Sequence, residues 1–427
     1  MTFQRRLLLA AGGGWLFDAM DLLLVGSVVA ALGKQWHLTK PVAGEIITAN
    51  LIGMFVGAAL SGIVADRFGR RAVFTWTLLA YSLLTGLSAF AWSAAALALI
   101  RFFAGVGLGG ELPVASTLVS EFAPKERRGR TVVLLESFWA YGTVLAALIG
   151  AVVVPTAGWR VALLLGTLPA LYIFVIRRAV PESPRFLLAQ GRFAEARAAA
   201  QLAAIETEAP SRAARASLGT LFGARFARRT VMLWLLWVAL VFSYYGIFTW
   251  LPSLLATKGF TLQQALWLNL AIAVFQIPGY YAAAALVDRI GRKATLVAFL
   301  ACAAIGSFFF AGATLAATPS VAAVVGWGAV IAFFNLGAWG VTYTYTPEQY
   351  PTAIRASGAG LAAGAGRLVG AFAPLIVGVM LARLGSAYTV FVVFAAVMLA
   401  GALVVLALGE ETRGKSLEEI SETRAAA

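Results

Sequence analysis

The chain is poor in the residues that build metal centres, disulfides and charged surfaces. Its 427 residues include a single cysteine, Cys302, and a single histidine, His37, so an internal disulfide is impossible and neither a zinc nor a haem site is expected. Only 12% of the residues are charged, against roughly 25% in soluble domains. No catalytic triad is visible in the sequence. These absences predict a protein that is not an enzyme and uses no cofactor.

Long apolar runs dominate what is present. Hydrophobic residues make up 61% of the chain, mean hydropathy is +0.86, and the 43 glycines suit close helix packing in lipid. Twelve runs are long enough to cross a bilayer as helices, and we number these predicted spans in chain order. They cover residues 7–32, 43–65, 72–92, 95–121, 131–155, 160–177, 230–256, 263–287, 294–316, 320–347, 354–382 and 386–408. The sequence therefore predicts an all-α membrane protein.

The net charge of +14 follows from where the basic residues lie, and it does not predict a nucleic-acid partner. With the N-terminus in the cytoplasm, most Lys and Arg residues fall in cytoplasmic segments. The exceptions are Lys34, Lys40, Arg160, Lys258 and Arg383 on the other side, and Arg101 and Arg367 within spans. This asymmetry is typical of membrane proteins, and an even number of spans places both termini in the cytoplasm. The first apolar run has no small-residue cleavage site, so no cleavable signal peptide is expected.

Two charged motifs each occur twice, in the same order. Asp66-Arg67-x-Gly69-Arg70-Arg71 recurs as Asp288-Arg289-x-Gly291-Arg292-Lys293, and Glu121-x2-Pro124-x3-Arg128 recurs as Glu348-x2-Pro351-x3-Arg355. Such repetition predicts two similar six-helix halves, a pattern typical of transporters that rock one half against the other. The predicted divisions are an N-terminal bundle at 1–178, a cytoplasmic linker with short helices at 179–228, a C-terminal bundle at 229–409 and a cytoplasmic tail at 410–427.

These motifs resemble those of the major facilitator superfamily, in its sugar-porter-like branch. Further matching pieces are Arg101-x3-Gly105-x-Gly107-x-Gly109 in span 4, Pro181-Glu182-Ser183-Pro184-Arg185 after span 6, and Glu410-Glu411-Thr412-Arg413-Gly414 after span 12. Two positions depart from the pattern, with Ala284 in place of a glycine and Glu410 in place of a proline. Gly14-Trp15-Leu16-Phe17-Asp18-Ala19-Met20-Asp21 in span 1 and Tyr244-Tyr245-Gly246-Ile247-Phe248 in span 7 are similar to bacterial niacin transporters, which are related to synaptic vesicle glycoprotein 2.

The resemblance implies a function and a location. It implies proton-coupled import of a small aromatic carboxylate, with nicotinate first, by rocker-switch alternating access in a monomer of the bacterial cytoplasmic membrane. The expected partners are the small-molecule substrate, protons and the lipid bilayer. Alternatives are a transporter of another organic anion or cation, such as a benzoate-like acid, or of sugar. A channel or a sensor with a transporter fold is a further alternative.

Ionisable side chains within the spans are candidates for proton coupling, because burying them in lipid is costly. They are Asp18, Asp21, Arg101, Glu111 and Glu136. Asp18 and Asp21 are three residues apart and share a helix face, so both are not expected to be ionised in a dry site. The resemblance to proton-coupled relatives favours Asp21 with Arg101, followed by Asp18. Glu111 and Glu136 are open to a purely structural interpretation.

A second group of residues is predicted to bind the substrate. Arg367 lies deep in span 11, where a cation needs an anion, either across the bundle or from the substrate. Flat aromatic walls beside an arginine describe a site for a small aromatic acid. Gln276 and Asn335 can hydrogen-bond a ring nitrogen or join helices to each other. The full predicted set is Trp139, Tyr244, Tyr245, Gln276, Asn335, Trp339, Tyr343 and Arg367.

The repeated cytoplasmic motifs predict a gate. Asp66 is expected to pair with Arg128 or Arg130 from the loop after span 4, and charge pairs across the two bundles are expected to hold the outward-facing state. The predicted gating residues are Asp66, Arg70, Glu121, Arg128, Arg130, Glu182, Asp288, Arg292, Glu348, Arg355 and Glu411.

Overall fold

The structure, a computed structural model, describes residues 3–122, 131, 134–203, 221–223, 226–316, 319–350 and 354–413. All regular elements in these ranges are helical. The elements of the first part of the chain are α1 (Phe3–Gln35), α2 (Lys40–Phe68), α3 (Arg70–Ser88), α4 (Ala94–Glu121), α5 (Phe138–Ala157), α6 (Trp159–Leu165), a 3-10 helix (Leu168–Tyr172), α7 (Ile173–Ala179), α8 (Pro184–Ala189) and α9 (Phe193–Ala203).

The second part of the chain is built in the same way. Its helices are α10 (Ala227–Ala256), α11 (Leu262–Val274), α12 (Gln276–Ile290), α13 (Arg292–Ala313), α14 (Val321–Glu348), α15 (Arg355–Gly370), α16 (Ala373–Leu384) and α17 (Ala387–Leu408). The alanine-rich stretch that follows Gly191 forms α9, a short helix within the predicted linker.

Eleven helical stretches in the described residues are long and apolar enough to cross a membrane. They match the predicted spans except span 3, whose residues form α3, a helix of 19 residues. α3 is less apolar because it carries Arg70 and Arg71 in its first turn and several hydroxyl side chains along its length. Two of those side chains, Tyr81 and Thr85, are buried against charged residues of neighbouring helices.

The chain divides into two compact units. The first comprises Met1–Leu38 and Glu45–Ser211, and the second comprises Thr39–Gly44 and Arg212–Ala427. The division at Ser211 falls within the predicted linker, 179–228. No pattern in the sequence indicates that Thr39–Gly44, at the start of α2, belongs with the second unit.

Several predicted spans are broken rather than continuous. Span 6 is divided into α6, the 3-10 helix and α7, while span 8 breaks at Phe275 and span 11 breaks at Ala371–Phe372. Pro278 and Pro374 lie just after the latter two breaks and have no N–H to donate to the preceding turn. The breaks bring two predicted site residues close to helix ends: Gln276 begins α12, and Arg367 lies in the last turn of α15.

The glycine-rich motif of α4 allows two neighbouring helices to approach it closely. A Cβ atom at Gly105 or Gly109 would meet backbone oxygen atoms of α2, so these positions have no room for a side chain. Gly107 faces α3, where a Cβ would lie 2.9 Å from the Cβ of Tyr81. Close packing therefore holds Arg101, one turn before the motif, between α2 and α3.

Candidate functional site

The first unit contains a buried ion pair that joins four helices. Arg101 on α4 forms a salt bridge with Asp21 on α1, and both side chains are 0% exposed. The guanidinium Nη1 also donates to Thr85 Oγ1 on α3 at 2.8 Å, and Nη2 donates to Asn50 Oδ1 on α2 at 3.0 Å. Thr85 in turn donates to Asp21 Oδ1 at 2.5 Å. Asp21 and Arg101, the predicted coupling pair, are therefore brought together, and each has additional polar partners.

A second acidic pair lies one turn away on α1. The carboxyl group of Asp18 lies beside that of Glu111 on α4 and approaches the hydroxyl of Tyr81 on α3. Asp18, Glu111 and Tyr81 are all 0% exposed. Gly14 makes room for this arrangement, because a Cβ there would overlap Glu111 Oε1. The structure thus pairs Asp18 with Glu111, a partner that the sequence did not suggest.

Two other predicted residues of the first unit are buried near the start of α5. Glu136 is 2% exposed and precedes α5 by two residues. Trp139 on α5 packs against Trp15 on α1, with ring centroids 4.7 Å apart. α5 approaches α1 closely because Gly142 faces the backbone of α1.

Aromatic side chains of α10 and α14 form one cluster in the second unit. Trp339 is its centre, with ring centroids 5.7 Å from Tyr244, 6.5 Å from Tyr245 and 5.9 Å from Tyr343. Trp237 lies edge-on to both Trp339 and Tyr343, at 5.7 and 5.2 Å. Edge-to-face contacts of this kind are favourable and hold the rings in fixed orientations. We refer to these five residues as the aromatic cluster.

Polar side chains at the aromatic cluster keep unused hydrogen-bonding capacity. Gln276 Oε1 accepts from the Tyr244 hydroxyl at 3.4 Å, and Asn335 Nδ2 donates to Ser243 Oγ at 3.3 Å. Among the described residues, no partner is found for three buried atoms: Gln276 Nε2, Asn335 Oδ1 and the indole nitrogen of Trp339. Buried polar atoms rarely lack partners, and those that do call for an explanation such as a ligand or water.

A cation lies at one end of the aromatic cluster. Arg367 on α15 donates from Nη2 to the hydroxyl of Tyr343 at 3.3 Å and is partly exposed. α15 reaches α10 closely because Gly366 leaves no room for a side chain against Trp237. The structure therefore brings together every predicted substrate-binding residue of the second unit except Asn335, which contacts Ser243 and Met398 beneath the cluster.

The predicted gating residue Glu182 has a clear local role in the first unit. Its Oε1 accepts from the backbone N–H groups of Arg70 and Arg71, at 2.9 and 3.2 Å, at the first turn of α3. Gly69, which precedes that helix, has φ of +99°, and a Cβ there would overlap the carboxylate. A carboxylate at the N-terminus of a helix accepts hydrogen bonds from the free N–H groups there and interacts favourably with the positive end of the helix dipole.

The second unit repeats this arrangement at α13. Glu411 accepts from the backbone N–H groups of Arg292 and Lys293, at 2.9 and 3.0 Å, and Gly291 has φ of +98°. Burial raises the pKa of Glu411, but hydrogen bonds from the N–H groups of Arg413, Arg292, Lys293 and Thr412 outweigh it, so the pKa lies below its ordinary value. We call Glu182 and Glu411 the capping glutamates.

Glu348, another predicted gating residue, is held by contacts within the second unit. Glu348 forms a salt bridge with Arg292 at 3.3 Å and accepts from Thr412 Oγ1 at 2.6 Å, all within the second unit. The side chains of Asp66, Glu121, Asp288 and Arg355, and the whole of Arg128 and Arg130, lie outside the described residues. A gate between the bundles stays a prediction.

Four residues of these sites were not predicted from the sequence. Trp237 lies seven residues before Tyr244, a spacing of two helical turns that puts both side chains on the same face of the helix. This spacing could have predicted that Trp237 belongs to the aromatic cluster. Tyr81 and Thr85 are four residues apart and so share a face of α3. The sequence of α3 alone does not indicate that this face packs against charged residues of α1 and α4. Asn50 had no such signal.

The comparisons with known proteins agree with each other. The family described as "Sugar (and other) transporter" matches residues 25–423. The chain is 47% identical to the "Niacin transporter NiaP" of Acinetobacter baylyi, over 98% of this chain and 96% of that protein. It is 31% identical to the "Synaptic vesicle 2-related protein" of Xenopus laevis, over 98% of this chain and 80% of that protein.

A solved structure has the same fold. The partially occluded inward-open xylose transporter XylE from E. coli matches with a TM-score of 0.80, covering 97% of this chain and 99% of that one at 20% identity. At that identity the similarity concerns the fold alone. The predicted fold class, two halves of six membrane helices, is confirmed, and the sequence-based resemblance to niacin transporters and their synaptic vesicle relatives is confirmed as well.

Proposed function

Because the chain belongs to the family of sugar and other transporters in the major facilitator superfamily, a family of membrane transporters and not of enzymes, we propose that it imports a small aromatic carboxylate together with a proton. Nicotinate is the best candidate, since a niacin transporter is 47% identical over nearly the whole length of both proteins. The proposed route is alternating access by two helical units in a bacterial cytoplasmic membrane.

The observation that carries the proposal is the aromatic cluster with a cation at its end. A planar ring can stack against Trp339, Tyr244 or Tyr245, while a guanidinium holds the carboxylate of the same molecule in a bidentate contact. Arg367 is oriented for this role by its hydrogen bond to Tyr343. A pyridine carboxylate has this combination of a flat apolar face and one anionic group.

The unused polar atoms support a ligand that has its own hydrogen-bonding groups. Gln276 Nε2 and the Trp339 indole nitrogen are donors, and among the described residues neither has an acceptor. A pyridine nitrogen is an acceptor that either can serve, whereas benzoate has no acceptor on its ring. We infer that the site prefers nicotinate over benzoate, because benzoate would leave these donors desolvated without a partner.

Proton coupling follows from the charge of the substrate. Nicotinate is a monovalent anion at neutral pH, and moving it alone into a cell that is negative inside costs roughly 2.3 kcal/mol per 100 mV. One proton carried with it cancels the charge. Each pH unit of gradient then supplies about 1.4 kcal/mol, which is tenfold accumulation. The buried acids of α1 and α4 are the groups we propose for carrying that proton.

The test is binding and transport with purified protein. We expect nicotinate to raise the thermal unfolding midpoint more than benzoate, nicotinamide, xylose or an organic cation does. In proteoliposomes, an inward proton gradient should drive nicotinate above its external concentration. Arg367→Ala should weaken binding of nicotinate more than binding of its neutral amide, because only the acid needs the guanidinium.

Arg383→Ala is the matched control. Arg383 follows span 11 directly and is exposed near the end of α16, so its removal should leave nicotinate binding unchanged. Equal losses for the acid and the amide in Arg367→Ala would contradict the proposed role of this arginine. Stabilisation by benzoate or a sugar, and not by nicotinate, would reject nicotinate as the substrate.

A further inference from the structure

Two separate acidic sites lie within one turn of each other on α1, and they differ in their surroundings. Asp21 is matched by a cation: Arg101 forms its salt bridge, and Thr85 donates a further hydrogen bond. Asp18 faces another acid, Glu111. The resemblance assigns proton coupling to Asp21, whereas the geometry offers the Asp18–Glu111 pair as the alternative.

The Asp18–Glu111 pair cannot hold two negative charges without strong repulsion. Both side chains are 0% exposed, and none of their four carboxyl oxygens accepts a hydrogen bond of normal geometry from any described residue. Two adjacent carboxylates in a dry site are not both ionised, whereas one shared hydrogen turns their repulsion into a hydrogen bond. The site as built is satisfied by one proton.

A third buried group is directed at the same place. The hydroxyl of Tyr81 approaches Asp18 and lacks any other hydrogen-bond partner within the described ranges. When water reaches the pair and it loses its proton, this hydroxyl can donate to one of the two carboxylates. Tyr81 is therefore suited to stabilise the deprotonated state, while the two acids share the proton in the other state.

The other ionisable groups around the pair are few. On α1 the nearest is Asp21, which is neutralised by Arg101 of α4. Tyr172 of the 3-10 helix lies on the Glu111 side, and Glu136 is buried at the start of α5. Arg101 is the one buried cation of the first unit in the described ranges, and it is already bound to Asp21.

We propose that the Asp18–Glu111 pair, assisted by Tyr81, is the site that binds the transported proton, and that the Asp21–Arg101 pair positions the helices around it. This inference rests on the proposed proton coupling. The step balances: when the pair is open to water on the outside it carries two negative charges and takes up one proton. It holds that proton with a net charge of minus one while closed to water, and it returns to two charges when it releases the proton to water on the inside. No other bond is made or broken.

The first experiment does not depend on any substrate. A protonated carboxylic acid has an infrared carbonyl stretching band that a carboxylate lacks. We expect purified wild-type protein at neutral pH to show such a band, and Asp18→Asn and Glu111→Gln each to lose it. Tyr81→Phe should retain the band at a shifted frequency, because a neighbouring hydroxyl is removed.

Two variants serve as controls. Asp21→Asn combined with Arg101→Gln removes both charges of the other pair, and Glu45→Gln removes an exposed carboxyl group on α2. Both should keep the band. A wild-type protein without the band, or a band that disappears with Asp21 and Arg101 and survives in both pair variants, would overturn the proposal. Size-exclusion profiles identify any variant that fails to fold, and Asp18→Asn and Glu111→Gln test the same site independently.

The second experiment measures coupling in proteoliposomes. With a tenfold proton gradient and no membrane potential, wild-type protein should accumulate nicotinate about tenfold. Asp18→Asn and Glu111→Gln should equilibrate it and retain exchange between equal pools, whereas a pair variant that still accumulates it would refute the inference. If the wild-type protein moves no nicotinate at all, the proposed function fails, and the infrared result still decides whether the pair holds a proton.

Discussion

At the scale of single residues, the Arg101 guanidinium shows why a buried charge needs several partners. It contacts one acid and two neutral oxygens from three helices, and the acid, Asp21, itself accepts a hydrogen bond from Thr85. Burial of an ion pair is often neutral for stability, but removal of one partner leaves an uncompensated charge. The cost of a substitution here therefore depends on what remains.

Asp21→Asn should lower the free energy of unfolding by about 3–5 kcal/mol, because Arg101 stays buried without its carboxylate. The double variant Asp21→Asn, Arg101→Gln should recover most of that loss, since neither charge remains. Thermal unfolding in detergent, followed by tryptophan fluorescence, measures both. A double variant that is less stable than Asp21→Asn alone would show that the pair itself contributes net stability.

The sequence predicted individual site residues unevenly. Asp21 with Arg101 followed from the resemblance, and the spacing of four residues between Trp339 and Tyr343, both predicted to bind substrate, puts them on one helix face. The Asp18–Glu111 contact did not follow from either, because the two acids are far apart in the chain and depend on the register between α1 and α4. That register is fixed by close packing at positions such as Gly14, which a hydropathy pattern does not distinguish from any other glycine.

At the scale of elements, glycines decide how near the helices lie. Gly109→Ala should destabilise the protein by about 1–3 kcal/mol, since its new methyl group would overlap a backbone oxygen of α2. A backbone oxygen within a helix cannot move aside as the end of a flexible side chain can. Gly360→Ala on α15 is the control, because among the described residues no atom outside its own helix lies within 4 Å of the methyl group that alanine would add, and alanine favours helix. Equal unfolding midpoints for the two variants would contradict this interpretation of the α4 motif.

The capping glutamates give an element-scale prediction that depends on pH. Because the pKa of Glu411 in the folded protein lies below its value in the unfolded chain, its contribution to stability is present above the unfolded pKa of about 4.3 and is lost as pH falls through the folded pKa. Glu411→Gln should therefore unfold at a lower temperature than wild type at pH 7, and the difference should shrink below about pH 4.

Glu195→Gln is a control for that comparison. Glu195 pairs with Arg192 on the exposed face of α9, and its side chain is 59% exposed, so its removal should change the midpoint little at any pH. A Glu411→Gln difference that persists unchanged into acid would exclude the carboxylate as the source of the stability.

Helix positions were easier to predict than helix continuity. Apart from the span ends and the breaks, the described parts of the twelve apolar runs lie on helices, as their length and composition predict. The breaks in spans 6, 8 and 11 were not predicted, because the hydropathy of an apolar run is the same whether it forms one continuous helix or two shorter ones. Pro278 and Pro374 were visible, but proline within a membrane helix is common enough that it does not by itself indicate a break.

At the scale of the whole molecule, the distribution of basic residues predicts orientation. In a Cys302→Ala background, a cysteine at Gln190 in the linker should be inaccessible to a membrane-impermeant thiol reagent in intact cells. A cysteine at Thr257, in the connection between α10 and α11, should react. Both positions are exposed, so folding does not mask them. The reverse pattern of labelling would place the termini outside the cell and contradict the prediction.

The breaks at Phe275 and at Ala371–Phe372 also have a consequence for water. Pro374 cannot donate to the carbonyl of Gly370, and Pro278 cannot donate to that of Val274, so each break leaves a carbonyl oxygen in need of another donor. A bilayer supplies none at that depth, and hydration from a polar interior does. Amide hydrogens around 275–279 and 371–376 should therefore exchange with deuterium faster than those in the uninterrupted α17. Both breaks would then mark how deeply solvent enters the protein.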